Sequence, residues 1–350
     1  MRVAFFEVKD WERAYLTERL PHDTTYFDGG ILPNPAAGPP AGGLHASPEA
    51  FSVKVAPAPD VDALSVFIHS QVTAQVLEGL PHLKFIATRS TGFDHIDLDA
   101  CLSRGIVVSN VPSYGENTVA EHSMALLLML ARKVHQSVLQ VRSGRVDLAE
   151  LTGFDLQGKT IGVIGAGHIG LHVIRIARGF GMRVLAYDVR SDPFLADLLG
   201  FAYVSMDQLL AESDIVTLHC PLTEKTEHLM GRAQIGRMKR GALLINTSRG
   251  GLVDTDALVG ALESGRLGGA GLDVLEGEEL IKEDKQLLAQ PVDVERLRTA
   301  VRNRVLLARD DVVFTPHNAF NSREALVRIL EVTLANLEAY RAGQPVHKVF

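Results

Sequence analysis

Three segments of the chain carry side chains that suit one reaction, the transfer of a proton together with a hydride. Arg249 follows Asn-Thr-Ser, and a guanidinium can bind a carboxylate through two parallel hydrogen bonds. Glu276, Glu278 and Glu279 lie in one acidic segment, where a carboxylate can hold a histidine protonated and in one tautomer. His317 follows Thr-Pro, and histidine exchanges one proton near neutral pH. Spacing alone does not rank the three glutamates.

Each of these residues also has a purely structural interpretation. Arg249 could be a surface side chain paired with Asp254, and the acidic segment could be a solvated loop. A single histidine more often serves packing than chemistry. His317 differs because Pro316 restricts the backbone before it, and because it ends the last predicted strand. Such strand ends line the ligand crevice of open α/β sheets, which favours the chemical interpretation.

A glycine motif in the middle of the chain predicts a dinucleotide site. Gly165, Gly167 and Gly170 lie between a predicted strand and a predicted helix, and Asp188 ends the next strand 18 residues after Gly170. The glycines allow a tight turn, the approach of a pyrophosphate to the backbone, and close helix packing. The aspartate can accept hydrogen bonds from ribose hydroxyls. An ordinary glycine turn in a parallel sheet is the alternative, and the acidic residue favours the dinucleotide.

The residue after the second strand also indicates which dinucleotide binds. Asp188 favours NAD because its carboxylate would repel the 2′-phosphate of NADP. Arg190 could hold that phosphate, although a solvated surface charge is the preferred interpretation. A nicotinamide carries a hydride to or from carbon. With Arg249 for a carboxylate and His317 for the hydroxyl proton, the residues predict a 2-hydroxy acid and its 2-keto acid as substrates.

Strands and helices alternate along the chain, which predicts an α/β fold with parallel sheets to position these residues. The apolar runs interpreted as strands lie at 3–6, 64–68, 83–88, 106–108, 159–164, 183–187, 215–218, 242–245, 270–273 and 312–314. One long helix is predicted from a capping box at Thr118 to about residue 141, and a last helix at 322–342. We expect the chain to cross between two domains near Pro112 and Pro316, with the active site in the cleft.

The composition sets the broad class of the protein. With 350 residues, 46% apolar and 22% charged, the chain is typical of a soluble globular protein of two domains. A net charge of −7 argues against nucleic-acid or anionic membrane partners, and the longest apolar run is too short to span a bilayer. Cys101 and Cys220 fit a reducing cytoplasm and offer no metal-ligand spacing. The N-terminus shows no signal-peptide pattern. We therefore expect a cytoplasmic protein without a metal.

From end to end, the chain resembles the D-isomer-specific 2-hydroxyacid dehydrogenases, and within them the D-lactate dehydrogenase-like branch. The motifs that carry the resemblance lie at 88–97, 110–114, 165–170, 219–223, 246–250, 273–278 and 315–320. The resemblance implies two doubly wound parallel-sheet domains, with a Rossmann NAD domain inserted into a flavodoxin-like substrate domain. The implied substrate domain comprises 1–113 and 316–350, and the NAD domain comprises 114–315.

The resemblance also implies roles for individual residues. Arg249 would bind and polarise the substrate, His317 would give or take the proton, and Glu278 would partner the histidine. Asp273 would accept a hydrogen bond from the nicotinamide amide. Cofactor contacts are implied at Gly165, Gly167, His168, Ile169, Gly170, Asp188, Cys220, Pro221, Thr226, Thr247, Ser248 and Asp273. Substrate contacts are implied at Thr91, Gly92, Tyr114, Arg249 and Phe320.

The favoured reaction is the NAD-dependent interconversion of pyruvate and D-lactate, in a homodimer whose subunits meet at the long helix after Thr118. Glyoxylate, hydroxypyruvate, phenylpyruvate and a phosphoglycerate-derived acid are alternatives. The aromatic Tyr114 and Phe320 favour a small or aromatic substrate side chain over a phosphorylated one. A dimeric, NAD(H)-responsive interaction protein is the alternative from a different class. The lack of a long disordered tail counts against it.

Two segments are less typical of the family. A loop at 29–43 is rich in Pro, Ala and Gly and has no counterpart there, which leaves the size of the substrate pocket open. The connection between Glu278 and Thr315 is longer than is usual in the wider family, although such length is common in the lactate branch.

Overall fold

The chain divides into two α/β units. Met1–Tyr114 and Ser322–Phe350 form the first unit, and Gly115–Asn321 forms the second. The structure is a computed structural model that describes residues 1–20, 23–31, 60–278 and 294–350, except for the side chains of 294–297. Most of the 29–43 loop and of the connection after Glu278 therefore lies outside the described residues.

The first unit is built on a five-stranded sheet in the order β2-β1-β3-β4-β5, with every pairing parallel. This is the flavodoxin-like strand order. Its strands are β1 (Val3–Phe5), β2 (Thr24–Tyr26), β3 (Ala63–Val66), β4 (Phe85–Thr88) and β5 (Val107–Ser109). The helices that follow the strands are α1 (Asp10–Thr17), α2 (Ala74–Glu78) and α3 (Leu98–Ser103).

The second unit is built on a seven-stranded parallel sheet. Its strands are β6 (Thr160–Ile164), β7 (Arg183–Tyr187), β8 (Ala202–Tyr203), β9 (Ile215–Leu218), β10 (Ala242–Asn246), β11 (Leu267–Leu272) and β12 (Val312–Phe314). Its helices are α4 (Glu116–Ala131), α5 (Val134–Arg142), α6 (His168–Gly179), α7 (Pro193–Leu199), α8 (Met206–Glu212), α9 (Arg232–Arg237), α10 (Thr255–Glu263) and α11 (Val294–Leu307). The order β12-β11-β10-β9-β6-β7-β8 is the Rossmann order with a seventh strand added. The predicted fold class, a Rossmann domain inserted into a flavodoxin-like domain, is confirmed.

Helices cover both faces of the seven-stranded sheet, so its central strands are buried throughout. All residues of β6, β9 and β10 are buried. In β10, Leu243 and Ile245 contribute to one hydrophobic cluster and Leu244 to another, because successive side chains point to opposite faces. Burial on both faces explains why these strands read as continuous apolar runs in the sequence.

The long helix predicted from Thr118 to about residue 141 is two helices, and its predicted start was wrong. Gly115 is the N-cap of α4, and no side chain caps this end. The helix ends where Lys133 adopts a left-handed conformation with φ of 50°, after which α5 begins. The N–H of Phe154 donates to the carbonyl of Ala131 at 2.8 Å, where the returning chain meets the last turn of α4.

The C-terminal helix α12 (Arg323–Arg341) belongs to the first unit. Ser322 caps it by accepting the Ala325 N–H, and the Tyr340 ring stacks on Phe85 of β4 at a centroid distance of 4.3 Å. Residues 316–321, which precede this helix, group with the second unit, so His317 lies in that unit. None of the helices in the described part of the chain is long and apolar enough to span a membrane.

Candidate active site

The carboxyl ends of the seven parallel strands place most of the predicted site residues at one edge of the second unit. Parallel strands all end at the same edge, so the residues that follow them are neighbours in space. Several strand ends contribute predicted site residues. In the order of the sheet these include His317 after β12, Asp273 after β11, Arg249 after β10, Cys220 after β9, Gly165 after β6 and Asp188 after β7. The strand order reverses between β9 and β6, which is where such sheets bind their ligands.

The turn after β6 has the geometry that a bound pyrophosphate requires. Gly165 has φ of +95°, and a Cβ there would lie 2.6 Å from the carbonyl carbon of His219. A Cβ on Gly170 would overlap the carbonyl oxygen of Gly165, so glycine is needed for close packing of helix on strand. A Cβ on Gly167 would meet no atom within 4 Å. The backbone at Gly167 is therefore open to an approaching ligand.

The N-terminus of α6 points its amide groups at this open position. Gly167 is the N-cap and no side chain caps it. Among the described residues, no group accepts a hydrogen bond from the amides of Gly167, His168, Ile169 or Gly170. His168 is exposed, as is Gly167, and Ile169 is half-buried. A helix N-terminus with unsatisfied N–H groups suits an anionic diphosphate. These residues fit the pyrophosphate of a dinucleotide.

Asp188 follows β7 and is held by the turn itself. Its Oδ2 accepts the N–H of Ala166 at 2.7 Å, and its Oδ1 accepts the N–H of Arg190 at 2.9 Å. A carboxylate has about four acceptor positions, so acceptor sites remain for ribose hydroxyls. Asp188 is half-buried, whereas Arg190 is exposed. This arrangement fits the adenosine ribose of NAD.

The segment after β9 lies beneath the Gly165 turn. His219 is half-buried as a residue, but its Nδ1 is buried. Its Nε2 lies 2.8 Å from the hydroxyl of Thr217, and burial of the ring lowers its pKa to about 3. Burial raises the pKa of the neighbouring Cys220 thiol. Thr226 donates to the carbonyl of Pro221 at 2.7 Å, which closes the loop that follows. Cys220 is thus a protonated, partly buried wall of the predicted cofactor site.

The segment after β10 carries the predicted arginine and two hydroxyl residues. Asn246 accepts the Ser248 N–H at 3.0 Å, and its own side-chain amide donates to the Arg249 carbonyl at 2.9 Å. The Ser248 hydroxyl donates to the Leu218 carbonyl, and the buried Thr247 hydroxyl lies 2.7 Å from that of Ser123. Arg249 is half-buried, and its Nη1 donates to the Ser248 carbonyl at 2.9 Å. The loop therefore has a defined shape.

His317 and Glu278 are in direct contact. His317 Nδ1 lies 2.6 Å from Glu278 Oε1, with the two side chains 30% and 25% exposed. Because a carboxylate only accepts hydrogen bonds, Nδ1 must carry the proton, and Nε2 is the nitrogen left for exchange with a substrate. Glu278 Oε2 accepts the N–H of Leu275 at 3.2 Å, which orients the carboxylate.

The other two glutamates of the acidic segment are placed differently. Glu276 Oε1 lies 2.7 Å from Nε2 of His228, and its Oε2 accepts from the hydroxyl of Thr255 at 2.9 Å. This contact with the carboxylate raises the pKa of His228. Glu279 lies outside the described residues. Asp254, the alternative partner considered for Arg249, caps α10 by accepting the Ala257 N–H.

Asp273 is completely buried beside His317. Its Oδ1 accepts from the Thr315 hydroxyl at 2.5 Å and from the Asn318 N–H at 3.0 Å, and its Oδ2 accepts the Ala319 N–H at 2.8 Å. The predicted contact of this carboxylate with the nicotinamide amide stays a prediction. What the structure shows is a carboxylate bound to the turn that carries His317.

The predicted substrate contacts divide between the two units. In the first unit, the hydroxyl of Thr91 donates to the Val111 carbonyl at 2.8 Å, and the hydroxyl of Ser90 donates to the Gly92 carbonyl at 2.6 Å. Within the described residues, no group accepts from the amides of Thr91 and Gly92. Tyr114 is half-buried, and its carbonyl accepts from Arg328. Phe320 belongs to the second unit with Arg249 and is half-buried.

The second unit matches a known domain family. The family model described as "D-isomer specific 2-hydroxyacid dehydrogenase, NAD binding domain" matches residues 124–319, which is more than half of the chain. The chain belongs to the D-isomer-specific 2-hydroxyacid dehydrogenases. The dinucleotide fitted above to the glycine turn is NAD, and this D-2-hydroxyacid dehydrogenase is an NAD-dependent oxidoreductase.

Relatives place the dehydrogenase in the D-lactate dehydrogenase-like branch. It is 41% identical over 287 residues to the D-lactate dehydrogenase of Escherichia coli (strain K12), covering 81% of this chain and 84% of the relative. It is 40% identical over 290 residues to the glyoxylate reductase of Korarchaeum cryptofilum (strain OPF8), covering 81% of both chains. Relatives in this branch thus carry names for different substrates.

Solved structures show the same fold over the whole chain. The pyruvate reductase of Chlamydomonas reinhardtii superposes with a TM-score of 0.84 at 35% identity, covering 99% of this chain and 98% of that one. The D-lactate dehydrogenase from Aquifex aeolicus, solved with NAD and lactic acid, superposes with a TM-score of 0.80 at 34% identity, covering 98% and 96% of the two chains.

Two polar residues next to the site were missed by the sequence analysis. His122 Nε2 lies 2.9 Å from the hydroxyl of Thr315 and 3.5 Å from Asp273 Oδ1. Thr315 belongs to the motif that contains His317 and directly follows β12, so its position at a strand end could have indicated that it lies near the site. His122 lies on α4, almost 200 residues earlier in the chain, and no spacing in the sequence connects the two.

Proposed function

We propose that this dehydrogenase reduces a small 2-keto acid, with pyruvate as the first candidate, to the D-2-hydroxy acid. The observation that carries the proposal is the 2.6 Å contact between His317 Nδ1 and Glu278 Oε1 at the same sheet edge as Arg249. The pair supplies a proton donor, and the arginine supplies a partner for a carboxylate. The names of the relatives, D-lactate dehydrogenase, pyruvate reductase and glyoxylate reductase, all describe 2-keto or 2-hydroxy acid chemistry.

The site residues divide the work of the reaction. Arg249 holds the substrate carboxylate in a two-bond contact, which fixes the orientation of the adjacent keto group. When bound, NADH supplies the hydride that adds to the keto carbon. His317 gives its Nε2 proton to the oxygen as the carbonyl π bond breaks, so that a C–H and an O–H bond form. Glu278 holds the proton on Nδ1 and stabilises the charged imidazole before the transfer.

The cofactor is assigned to the glycine turn and its neighbours. The amides of Gly167 to Gly170 hold the pyrophosphate, and Asp188 holds the adenosine ribose. Cys220, Pro221 and Thr226 line the adenosine side, and Thr247 and Ser248 lie under the nicotinamide ribose. In the first unit, the amides of Thr91 and Gly92 are available to the substrate carboxylate.

The substrate side chain is assigned to Tyr114 and Phe320, whose aromatic rings favour a small or aromatic group. A panel of pyruvate, glyoxylate, hydroxypyruvate and phenylpyruvate with NADH tests this assignment by kcat/KM. We expect pyruvate to rank first. Glyoxylate is the second candidate because a reductase of that name is 40% identical to the chain. Turnover with none of the four acids would overturn the proposal.

Two substitutions test the roles of the catalytic residues. His317→Ala removes the proton donor and should lower kcat by at least about 100-fold while leaving NADH affinity within twofold, since general acid catalysis contributes about 10²–10⁴-fold. Arg249→Lys keeps the charge but loses the two-bond contact, so it should mainly raise the KM for the keto acid and also lower kcat. Near-normal turnover by the His317 variant would remove that residue from the mechanism.

We also propose that the dehydrogenase is a homodimer. The apolar side chains of α4 are largely buried within the second unit, whereas α5 exposes Val134, Val138, Leu139 and Val141. The segment that follows α5 adds Val146 and Leu148, which are 72% and 77% exposed. Exposed apolar groups at this density suit an interface with a second copy. Sedimentation should give twice the chain mass, and Leu139→Glu should shift the protein to monomer.

A further inference from the structure

The turn that carries His317 has an unusual backbone that one neighbouring residue supports. His317 has φ of +53°, in the left-handed region that a histidine seldom adopts. Three successive amides of the turn donate to Asp273. The N–H of His317 donates to its backbone carbonyl at 2.8 Å, and those of Asn318 and Ala319 donate to its carboxylate. Asp273 is thus the support that holds His317 in this conformation.

The Asp273 carboxylate is itself held by Thr315. The Thr315 hydroxyl donates to Oδ1 at 2.5 Å, on the same oxygen that accepts the Asn318 amide. A hydroxyl has one proton, and a carboxylate can only accept, so the Thr315 proton is committed to Asp273. His122 Nε2, 2.9 Å from the Thr315 oxygen, must therefore be the donor in their contact. The proton of His122 is fixed on Nε2 by this chain of hydrogen bonds.

We infer that Thr315 and His122 are positioning residues, which keep His317 aligned through Asp273. This inference rests on the proposed function, in which His317 donates the proton. The hydrogen bonds run in one direction, from His122 to the Thr315 hydroxyl to the Asp273 carboxylate, which in turn binds the amides of the turn. Loss of the Thr315 hydroxyl leaves Asp273 Oδ1 with one fewer hydrogen-bond donor. The buried carboxylate can then rotate away from the amides of Asn318 and Ala319, from which it accepts hydrogen bonds.

A pair of substitutions at residue 315 isolates the hydroxyl. Thr315→Val preserves the shape of the side chain and removes the hydroxyl, whereas Thr315→Ser retains the hydroxyl and serves as the matched control. We expect the valine variant to lower kcat by about 10- to 100-fold, because small displacements of a catalytic group have effects of this size. The serine variant should stay within twofold of the wild type. NADH affinity, measured by fluorescence, should change less than threefold in the serine variant, and in the valine variant it should fall less than kcat does.

Amide hydrogen exchange provides a readout that needs neither cofactor nor turnover. In the free protein, the amides of Asn318 and Ala319 should exchange about tenfold faster in the valine variant than in the wild type or the serine variant. His122→Leu should reproduce both the lower kcat and the faster amide exchange. His122→Gln should lie between His122→Leu and the wild type, because the glutamine amide nitrogen can also donate a hydrogen bond. Because His122 and Thr315 belong to one series of hydrogen bonds, the double variant His122→Leu, Thr315→Val should lower kcat little more than either single substitution does.

The outcomes separate the inference from the proposed function. If the wild type reduces no 2-keto acid with NADH, the proposed function fails, and the exchange measurement still tests the support of the turn. If the wild type is active and the valine variant keeps wild-type kcat and exchange rates, Thr315 does not position His317. A valine variant that loses NADH affinity but keeps kcat would also overturn the inference, because the hydroxyl would then serve the cofactor. If the valine variant does not fold, His122→Leu provides the same test.

Discussion

The contact between His317 and Glu278 supports a prediction with a defined size. Glu278→Gln keeps an oxygen that can accept from His317 Nδ1 but removes the charge. A hydrogen bond to a charged group contributes about 1.5–3 kcal/mol, and a neutral one about 1 kcal/mol. The two side chains are 25–30% exposed, so solvent screens part of this difference. The difference is about 0.5–2 kcal/mol before screening, and a loss of about 1 kcal/mol in the transition state corresponds to a decrease in kcat of about fivefold.

The assay is the steady-state oxidation of NADH with saturating pyruvate, with NADH affinity measured separately. NADH affinity should be unchanged in Glu278→Gln, because neither Glu278 nor His317 belongs to the glycine turn. Glu278→Ala should lower kcat more than Glu278→Gln does, because it leaves His317 Nδ1 without its hydrogen-bond acceptor. Glu276→Gln is the matched control because Glu276 contacts His228 and Thr255 instead, and its kcat should stay within twofold of the wild type. A Glu278→Gln variant as active as this control would show that the charge of Glu278 does not assist His317.

Three further predictions concern the cofactor site and its support. Asp188→Ala should weaken NADH binding by about tenfold or more and NADPH binding much less, which titration of cofactor fluorescence would measure. Gly170→Ala should lower the free energy of unfolding by about 1–3 kcal/mol because its Cβ overlaps the Gly165 carbonyl, whereas Gly179→Ala, which meets no atom, should raise it slightly. His219 has a folded-state pKa of about 3, below its ordinary 6.5, so the unfolded chain gains the proton first as pH falls. Stability should therefore decline below pH 6.5 by up to about 1.4 kcal/mol per pH unit from this group, and His219→Gln should show the smaller decline in denaturant titrations.

The local parts of the fold could be predicted from the sequence. The glycine motif, the strand that precedes it and Asp188 lie within 30 residues, and their roles depend on nearby backbone geometry. Three strands, β7, β9 and β12, have the predicted bounds because they are short runs of mostly apolar and mostly buried residues. The strands β2 and β8 were not predicted, because β2 is a partly exposed Thr-Thr-Tyr segment without an apolar run and β8 has only two residues.

The parts that depend on distant contacts could not be predicted. The left-handed conformation of Lys133, which ends α4, has no signal in its neighbours. Spacing left Glu276, Glu278 and Glu279 equivalent. The family resemblance pointed to Glu278, and the fold places Glu278 beside His317 and Glu276 beside His228. The contact of His122 with Thr315 joins a helix and a strand end far apart in the chain.

In the reaction that we propose, this enzyme reduces a 2-keto acid to the D-2-hydroxy acid with His317 as the proton donor. The most direct measurement is the configuration of the product formed from pyruvate and NADH, by chiral chromatography, for the wild type and for His317→Ala. We expect D-lactate alone from the wild type, and D-lactate formation at no more than about 1% of that rate from the variant. L-lactate from the wild type, or D-lactate at a comparable rate from the variant, would contradict it.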